Sequence, residues 1–263
     1  MLQRRLIPVP ALADNYIWLL TGDDDRCLIV DPGEAPSVLA ALQRESLTPT
    51  TILLTHHHPD HIAGVAGLLS AYPGLAVIAP HDERIATATR RVGSGERVHI
   101  DAPRADFEVI EIPGHTRSHI AFFGAGVVFA GDTLFSVGCG RMFEGTPPVM
   151  LASLDRLAAL PADTLLCCGH EYTLANCAFA LSVDAGNVDL QQRAEQARAL
   201  RARGEPTVPV TLEREHATNP FLRVDAPALI ETCTKALGAA AAQDRVARFA
   251  WLRREKDGFR VPT

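Results

Sequence analysis

The chain has 263 residues, enough to bury the core of one large domain or of a large domain and a small one. Hydrophobic residues make up 47% and charged residues 21%, as in ordinary soluble globular proteins. The formal net charge of −6 and the lack of a long basic run argue against a nucleic-acid-binding protein. No apolar stretch reaches the roughly 18–20 residues that a membrane span needs.

Six cysteines are scattered along the chain without a CxxC pair. This usage favours buried thiols in a reducing compartment over a disulfide framework. The first residues, MLQRRLIPVPALADNY, are interrupted by Pro8, Pro10 and Asp14, which makes them a poor signal peptide. We therefore expect a cytoplasmic protein.

The first two thirds of the chain predict short strands with interspersed helices. Strands are predicted at residues 15–20, 26–31, 51–55, 75–80, 107–113 and 164–170, and a hairpin around glycines at 119–132. Helices are predicted at residues 35–46, 62–72 and 149–161.

The composition changes near residue 172, beyond which segments such as VDLQQRAEQARALRARG have helical periodicity and few strand-like runs remain. We therefore predict an α/β domain over residues 1–172 and a smaller helical domain over residues 173–263.

Four histidines and an aspartate lie close together in the segment LLTHHHPDHIAG. Side chains two apart in an extended segment share a face, so His56 and His58 point the same way and His57 the other way. Pro59 keeps the residue before it extended, and Asp60 and His61 fall where a helix should begin. One strand-to-helix connection thus directs three imidazoles and a carboxylate toward a common point.

A solvent-exposed polar loop would explain one or two of these histidines, but not four of them beside an aspartate directly after a buried strand. So many groups that repel one another when protonated need a compensating partner, and a divalent cation supplies one. We therefore predict a metal site. His57 is expected outside it, while Asp31 and His119 are candidates for supporting a ligand from behind.

Three further strand ends carry one potential ligand each. His115 follows FEVIEIPG, Asp132 follows VVFAG, and His170 follows TLLCCG. The carboxyl ends of strands are where α/β proteins tend to build their sites. Each residue is a weak indication by itself, but together with the histidine cluster they predict a complete metal centre.

The motifs THHHPDH, GHTRSH, GDTLF and GHEYT, in this order, resemble the metallo-β-lactamase superfamily. The resemblance implies an α+β protein, an αβ/βα sandwich with two divalent metal ions between its sheets. Zinc is the usual metal of that superfamily, and iron or manganese is also accepted; nitrogen and oxygen ligands suit all three. By the family pattern, His56, His58 and His115 bind one metal, Asp60, His61 and His170 bind the other, and Asp132 bridges them.

Within the superfamily the chain is most similar to the glyoxalase II group, the hydroxyacylglutathione hydrolases. The stretches NYIWLL, DPGEA, GCGRMFEGT, GHEYT, HATNPFLR and RREKD carry this resemblance almost from end to end. It implies hydrolysis of S-D-lactoylglutathione to D-lactate and glutathione, the second step of methylglyoxal detoxification, with the helical domain closing over the substrate. The resemblance also implies the substrate-binding residues Arg141, Phe143, Tyr172, Arg253 and Lys256.

The chemistry of a thioester agrees with this implication. A metal-bound hydroxide serves as the nucleophile, so no side-chain nucleophile is needed. A thiolate with a pKa near 8.5 leaves without a strong general acid, unlike an amide nitrogen.

Two positions depart from many relatives, which have lysine and tyrosine where this chain has Arg141 and Phe143. The lost tyrosine hydroxyl leads us to expect weaker or altered glutathione binding.

Other functions remain open at this point. Another superfamily enzyme, such as a persulfide dioxygenase, a lactonase or a β-lactamase, would share the histidine motif but not the RREKD ending. A non-catalytic metal-binding protein would keep the ligands but need no glutathione pocket. Our prediction is a monomer that acts on a small glutathione thioester, with neither nucleic acid nor membrane as a partner.

Overall fold

The computed structural model describes residues 5–22 and 24–260. Its strands are β1 (Leu6–Ala11), β2 (Asn15–Thr21), β3 (Arg26–Val30), β4 (Thr48–Leu53), β5 (Ala76–Pro80), β6 (Arg90–Val92), β7 (Arg97–Ile100), β8 (Ala105–Glu111), β9 (Ile120–Gly124), β10 (Val127–Gly131), β11 (Leu134–Phe135), β12 (Gly138–Cys139), β13 (Leu165–Cys168) and β14 (Val210–Thr211). Its helices are α1 (Ala35–Glu45), α2 (Pro59–Ile62), α3 (Val65–Ala71), α4 (Pro147–Ala158), α5 (Thr173–Val183), α6 (Val188–Ala202), α7 (Leu212–Thr218), α8 (Pro227–Leu237), α9 (Ala239–Ala242) and α10 (Arg245–Gly258).

Two compact units make up the chain, and each consists of several segments. The first contains the chain up to Glu111, Ser118–Gly131 and Cys167–His170. The second contains Ile112–Arg117, Asp132–Leu166 and the chain from Glu171 onward. These units interleave along the sequence, whereas the predicted domains follow one another, so the division at residue 172 stays a prediction.

The first unit contains a six-stranded sheet with the strands in chain order, β1 to β6. Strands β1 to β3 pair antiparallel, and β3 to β6 pair parallel. Parallel neighbours need crossover connections, which α1 supplies between β3 and β4 and α2–α3 between β4 and β5. The carboxyl ends of β3 and β4 therefore meet at one edge, where Asp31 and residues 55–61 follow.

The apolar core of the first unit lies between this sheet and the helices α1 and α3. Alternate residues of the strands face α1 and α3, whose apolar positions recur at helical spacing. The fully buried members of this core include Ile17, Leu19, Ile29, Val38, Ile52, Leu54, Val65, Leu68 and Val77.

The remaining strands of the first unit are antiparallel, in the order β10-β9-β8-β7. The turn between β9 and β10 has two residues with positive φ, Ala125 at 55° and Gly126 at 79°, as a tight two-residue hairpin requires. The hairpin predicted at residues 119–132 is thus confirmed. The last two residues of β13 also belong to this unit and lead into His170.

The short strands β6, β7, β11, β12 and β14 lie outside the predicted strands, and two further differences have a clear physical reason. The helix predicted at residues 62–72 begins only at Val65, separated from the short α2, because the Gly64 N–H donates to the Pro32 carbonyl oxygen at 2.9 Å; a Cβ at Gly64 would lie 2.7 Å from that oxygen. Strand β1 lies outside the predicted strands; it contains Pro8 and Pro10 and is an edge strand, where proline is tolerated.

The second unit is mainly helical and includes α4 to α10, the short β11–β12 hairpin, and the pairing of β14 with the first half of β13. Its α5 and α6 pack on the hairpin loop through Val137, Cys177, Ala180, Leu190 and Ala194. The predicted α+β class with a helical C-terminal region is confirmed. None of the helices that the structure describes combines the length and apolar character needed to cross a bilayer.

A buried carboxylate holds the β11–β12 loop. Glu215 of α7 accepts hydrogen bonds from Ser136 Oγ (2.8 Å), the Val137 backbone N–H (2.7 Å) and Asn219 Nδ2 (3.0 Å). Burial raises the pKa of Glu215, and these donors oppose that rise. Val137 has φ of +58°, unusual for a β-branched residue, so the bond to its N–H holds a strained turn in place.

We expect Glu215→Ala to lower the free energy of unfolding by about 3 kcal/mol, because it leaves several buried donors without an acceptor. Calorimetric unfolding of the purified variant measures this change. Glu213→Ala on the same helix is the control; its side chain is exposed, so we expect a change of about 0.5 kcal/mol or less. Equal destabilisation by the two variants would contradict a special role for Glu215.

Candidate metal centre

The segment after β4 adopts the conformation that the sequence predicts. His58 is extended, with φ of −61° and ψ of 142°, and α2 begins at Pro59. His56 Nε2 lies 3.1 Å from His58 Nδ1, so the two rings share a face. His57 points elsewhere, with its Nδ1 3.5 Å from Asp82 Oδ2.

Three predicted ligands come together in the first unit. Asp60, His61 and His170 each offer a donor atom within 4.8 Å of the others. The carboxylate oxygen Asp60 Oδ2 lies 3.6 Å from His61 Nε2 and 3.4 Å from His170 Nε2. Both histidines are almost fully buried, and the aspartate is partly exposed.

Asp31 supports this group from behind, as the sequence indicated. Its carboxylate accepts hydrogen bonds from the Thr55 N–H (2.7 Å) and Thr55 Oγ1 (2.6 Å) and lies 3.1 Å from His61 Nδ1. Asp31 has φ of +52°, a conformation that aspartate adopts more readily than most residues. Because Nδ1 of His61 is engaged by a carboxylate, its Nε2 is left to face Asp60.

His170 and Asp60 have partners that the sequence analysis missed. Asp14 Oδ1 lies 2.8 Å from His170 Nδ1, and Asn15 Nδ2 donates to Asp60 Oδ2 at 3.1 Å. In the stretch ALADNYIW, the polar residues Asp14 and Asn15 stand between apolar residues at the start of a buried strand. This pattern was the only local indication that the two residues have a role at the site. Only the fold shows which ligands the pair contacts.

The histidine rings of the first unit also stack on one another. His119 lies parallel to His56, with ring centroids 4.6 Å apart and planes 15° apart, and its Nδ1 lies 3.1 Å from the Ile120 carbonyl oxygen. His56 Nδ1 is 3.0 Å from Thr55 Oγ1. His119 therefore stacks on a predicted ligand, and its role as a hydrogen-bond partner of a ligand stays a prediction.

The other two predicted ligands, His115 and Asp132, lie in the second unit. His115 Nε2 is 3.5 Å from Asp132 Oδ2, and His115 Nδ1 donates to the Arg141 carbonyl oxygen at 2.9 Å. A Cβ at Gly140 would lie 1.9 Å from the Asp132 carbonyl oxygen and 3.2 Å from His115 Nδ1, so only glycine fits there. The GCG stretch thus allows the backbone to approach both predicted ligands closely.

These donors suit a divalent cation. They are imidazole nitrogens and carboxylate oxygens, the donor set of zinc, iron and manganese sites. Hydrogen-bond acceptors behind Nδ1 of His61, His170 and His115 favour the proton on Nδ1, so that the lone pair of Nε2 is left for a metal ion in each ring. The residues present therefore fit a metal centre.

The predicted substrate residues lie in the second unit. The Phe143 ring, 63% exposed, meets the His115 ring edge-on at 5.2 Å. Tyr172 directly precedes α5 and packs its ring against Phe135. Arg141 is exposed, with its Nε 3.4 Å from Asp257 Oδ1.

Arg253 and Lys256 lie on α10. Arg253 is buried and donates to the Cys139 carbonyl (2.6 Å) and to Asp257 Oδ1 (3.0 Å). Lys256 Nζ donates to the Ala175 carbonyl at 3.1 Å. Desolvation, helped by the charge of Arg253, lowers the pKa of Lys256 to about 8. Arg253 is therefore buried within the unit, and Lys256 is half-buried, so neither is a fully solvated cation at a helix end.

Comparisons with known proteins identify the family of the chain. The family model described as "Metallo-beta-lactamase superfamily" matches residues 13–170, and that described as "Hydroxyacylglutathione hydrolase C-terminus" matches residues 171–259. A hydroxyacylglutathione hydrolase of Xanthomonas axonopodis pv. citri (strain 306) is 56% identical, with 98% of this chain and 100% of that protein covered. A protein of the same name from Xylella fastidiosa (strain M23) is 54% identical, with 98% of each covered.

Solved structures with the same fold include ETHE1 from Myxococcus xanthus, with a TM-score of 0.64, 22% identity, and 99% of this chain and 92% of that chain covered. The BLEG-1 B3 metallo-beta-lactamase has a TM-score of 0.63 and 24% identity, over 84% of this chain and 99% of that one. TTHA1623, solved in a di-iron-bound form, has a TM-score of 0.59 and 28% identity, over 82% of this chain and all of that one.

The fold and the histidine–aspartate clusters define a divalent-metal-binding enzyme of the metallo-β-lactamase superfamily, as predicted. The two family models together match almost the whole chain, and the relatives above extend over nearly its full length. The chain belongs to the hydroxyacylglutathione hydrolase family, a group of thioester hydrolases.

We expect His61→Ala to reduce the divalent metal bound by the purified protein, because it removes a buried donor that faces Asp60. The loss of affinity should exceed the about 10–100-fold effect typical of changes behind a ligand. Elemental analysis after dialysis against trace zinc measures it. His99→Ala is the control, because His99 is exposed and pairs with Asp101 and Asp106 instead. Equal metal content in the two variants would contradict ligation by His61.

Proposed function

We propose that the protein hydrolyses S-D-lactoylglutathione to D-lactate and glutathione, the second step of methylglyoxal detoxification. The observation that carries this proposal is the combination of a histidine–aspartate centre with a C-terminal region matching the hydroxyacylglutathione hydrolase model over residues 171–259. The names of the relatives support the same substrate class.

The proposed ligand set contains two divalent ions per chain, most simply zinc, with iron or manganese as alternatives. One position takes His56, His58 and His115, the other takes Asp60, His61 and His170, and Asp132 bridges them. The mutual approach of Asp60, His61 and His170, and that of His115 and Asp132, support this set. A relative 28% identical, TTHA1623, has been solved with two irons bound.

When bound, the metal supplies Lewis acidity, which lowers the pKa of water to about 7 and polarises a thioester carbonyl. The residues of the chain supply orientation. Asp31 holds the ring of His61 so that Nε2 faces Asp60, and the Arg141 carbonyl holds the ring of His115 so that Nε2 faces Asp132. No protein acid is required at the leaving group, because a thiolate departs at neutral pH.

Glutathione carries two carboxylates, so its site needs local positive charge despite the net charge of −6. We place Arg253 and Lys256 at the glycine carboxylate. The charge of Arg253 acts on Lys256, so the two cations form one local positive region in the second unit. Arg141, Phe143 and Tyr172 are proposed to contact the rest of the tripeptide.

We further propose a catalytic domain at residues 1–172 and a substrate-binding domain at residues 173–263. The two family models, which meet between residues 170 and 171, support this division. The protein is proposed to act as a monomer, since one chain provides all proposed ligands. Six buried free cysteines favour a reducing, cytoplasmic location.

Removal of the metal should abolish activity. We expect the loss of thioester absorbance with S-D-lactoylglutathione to stop after chelation and to return when zinc is added. Asp132→Ala should lower kcat by orders of magnitude, because it removes the proposed bridging ligand, whereas Asp101→Ala, at an exposed aspartate of the first unit, should not. A fully metal-loaded protein without turnover would instead favour a non-catalytic metal-binding role.

Lys256 should make substrate binding depend on pH. Its pKa of about 8 lies below the ordinary lysine value, so the ammonium is present below pH 8 and is lost as the pH rises above it. We expect KM to increase from about pH 7 to about pH 9.5 in the wild type and to stay flat in Lys256→Arg, since arginine remains charged over this range. If KM in steady-state assays depended on pH in the same way in the wild type and in Lys256→Arg, this result would argue against contact between Lys256 and the substrate.

A further inference from the structure

Asp14, at the end of the turn between β1 and β2, and Asn15, the first residue of β2, each contact a predicted metal ligand. Asp14 Oδ1 lies 2.8 Å from His170 Nδ1. Asn15 Nδ2 lies 3.1 Å from Asp60 Oδ2 and 3.3 Å from the Asp60 carbonyl oxygen. Asp14 and Asn15 belong to no metal-ligand motif, and the thioester chemistry described above does not use them.

The backbone sets the position of both side chains. Asn15 forms an isolated antiparallel bridge with His170, and the Tyr16 N–H donates to the Gly169 carbonyl at 2.8 Å. Trp18, further along β2, donates from its indole nitrogen to the Cys168 carbonyl at 2.9 Å. The start of β2 is thus hydrogen-bonded to the segment that leads into His170, and this holds the side chains of Asp14 and Asn15 close to the ligands.

The contact with Asp14 determines which nitrogen His170 presents. A neutral imidazole has one N–H donor and one acceptor nitrogen. A carboxylate beside Nδ1 favours the proton there, so the lone pair of Nε2 faces Asp60 Oδ2, 3.4 Å away. A carboxylate partner also makes the ring more basic and therefore a stronger ligand.

Asn15 has the corresponding effect on Asp60. Its amide can only donate to the carboxylate through Nδ2, and the second contact to the Asp60 carbonyl fixes the direction of the amide. One oxygen of Asp60 is thereby held where it also faces His61 Nε2 and His170 Nε2. With Asp31 behind His61, each member of the Asp60–His61–His170 group has its own supporting partner.

We propose that Asp14 and Asn15 are positioning residues for the divalent metal bound by Asp60, His61 and His170, an inference that rests on the proposed ligand set. Asp14 fixes the tautomer and ring orientation of His170, and Asn15 fixes the carboxylate of Asp60. Together they extend the metal centre to the turn after β1.

A purely structural role predicts a different result. The Asp14 side chain is 43% exposed, and exposed ion pairs contribute little to folding stability. Removal of this carboxylate should therefore leave the unfolding of the metal-free protein nearly unchanged. Its effect on metal affinity should be much larger, because the imidazole loses its orienting acceptor. The two readouts separate positioning from general stabilisation.

The test uses the full chain, freed of metal and titrated with Zn²⁺ against a chromophoric chelator. Asp14→Ala should weaken binding of one zinc by about 10–100-fold, and Asp14→Asn should lose less, because its amide oxygen still accepts from Nδ1. Asp101→Ala is the matched control: it removes a carboxylate 3.2 Å from the exposed ring of His99 and should bind zinc as the wild type does. Thermal unfolding of each metal-free variant is measured in parallel, and Asn15→Ala is tested in the same way.

The outcomes are distinguishable. Weaker zinc binding in Asp14→Ala with an unchanged metal-free unfolding midpoint supports the proposal. Wild-type affinity in Asp14→Ala, or a loss matched by Asp101→Ala, overturns it and leaves the proposed hydrolase function intact. A fall in affinity accompanied by an equal fall in metal-free stability shows a structural role and also overturns it. A wild-type protein that binds no zinc overturns both the ligand set and this inference.

Discussion

The carboxylate of Asp31 organises the histidine-rich segment. It accepts the backbone N–H and the hydroxyl of Thr55, and it contacts Nδ1 of His61. This is possible because β3 and β4 are parallel neighbours, so the residue after one strand lies beside the residues after the other. Gly33 then allows the loop after Asp31 to pass over the start of α2; a Cβ there would lie 2.0 Å from the Asp60 carbonyl oxygen. Asp31 thus fixes both the start of the histidine-rich segment at Thr55 and the ring of His61.

The partners behind the imidazoles differ in charge. His61 and His170 have carboxylates behind Nδ1, whereas His56 has a threonine hydroxyl and His115 a backbone carbonyl. A carboxylate stabilises a bound cation more than a neutral acceptor does, because its negative charge adds to the orienting effect. Asp14 and Asp31 therefore add negative charge around the Asp60–His61–His170 group beyond the charge of Asp60 itself.

The second unit places charge in its interior as well. Glu215 fixes the strained loop at Val137, and Arg253 is tied to the carbonyl of the neighbouring Cys139. Such groups are costly to bury and are kept only where hydrogen bonds or ligands compensate them. For Glu215, hydrogen bonds compensate part of the cost of burial. For Lys256, desolvation lowers the pKa, so the ammonium loses its proton more readily.

The sequence by itself determined the approximate places of most of the longer strands, the extended histidine segment before Pro59 and the family. These depend on local periodicity, on proline sterics and on motifs that lie close together in the chain. Only the tertiary structure decided which residues stand behind the ligands. Asp14 and His170 are 156 positions apart, and Ser136 and Glu215 are 79 apart. The division of the helix at Gly64 likewise follows from a distant segment, residues 32–34, passing close by. Such pairs leave no local pattern, since it is the pairing of strands and the packing of helices that bring them together.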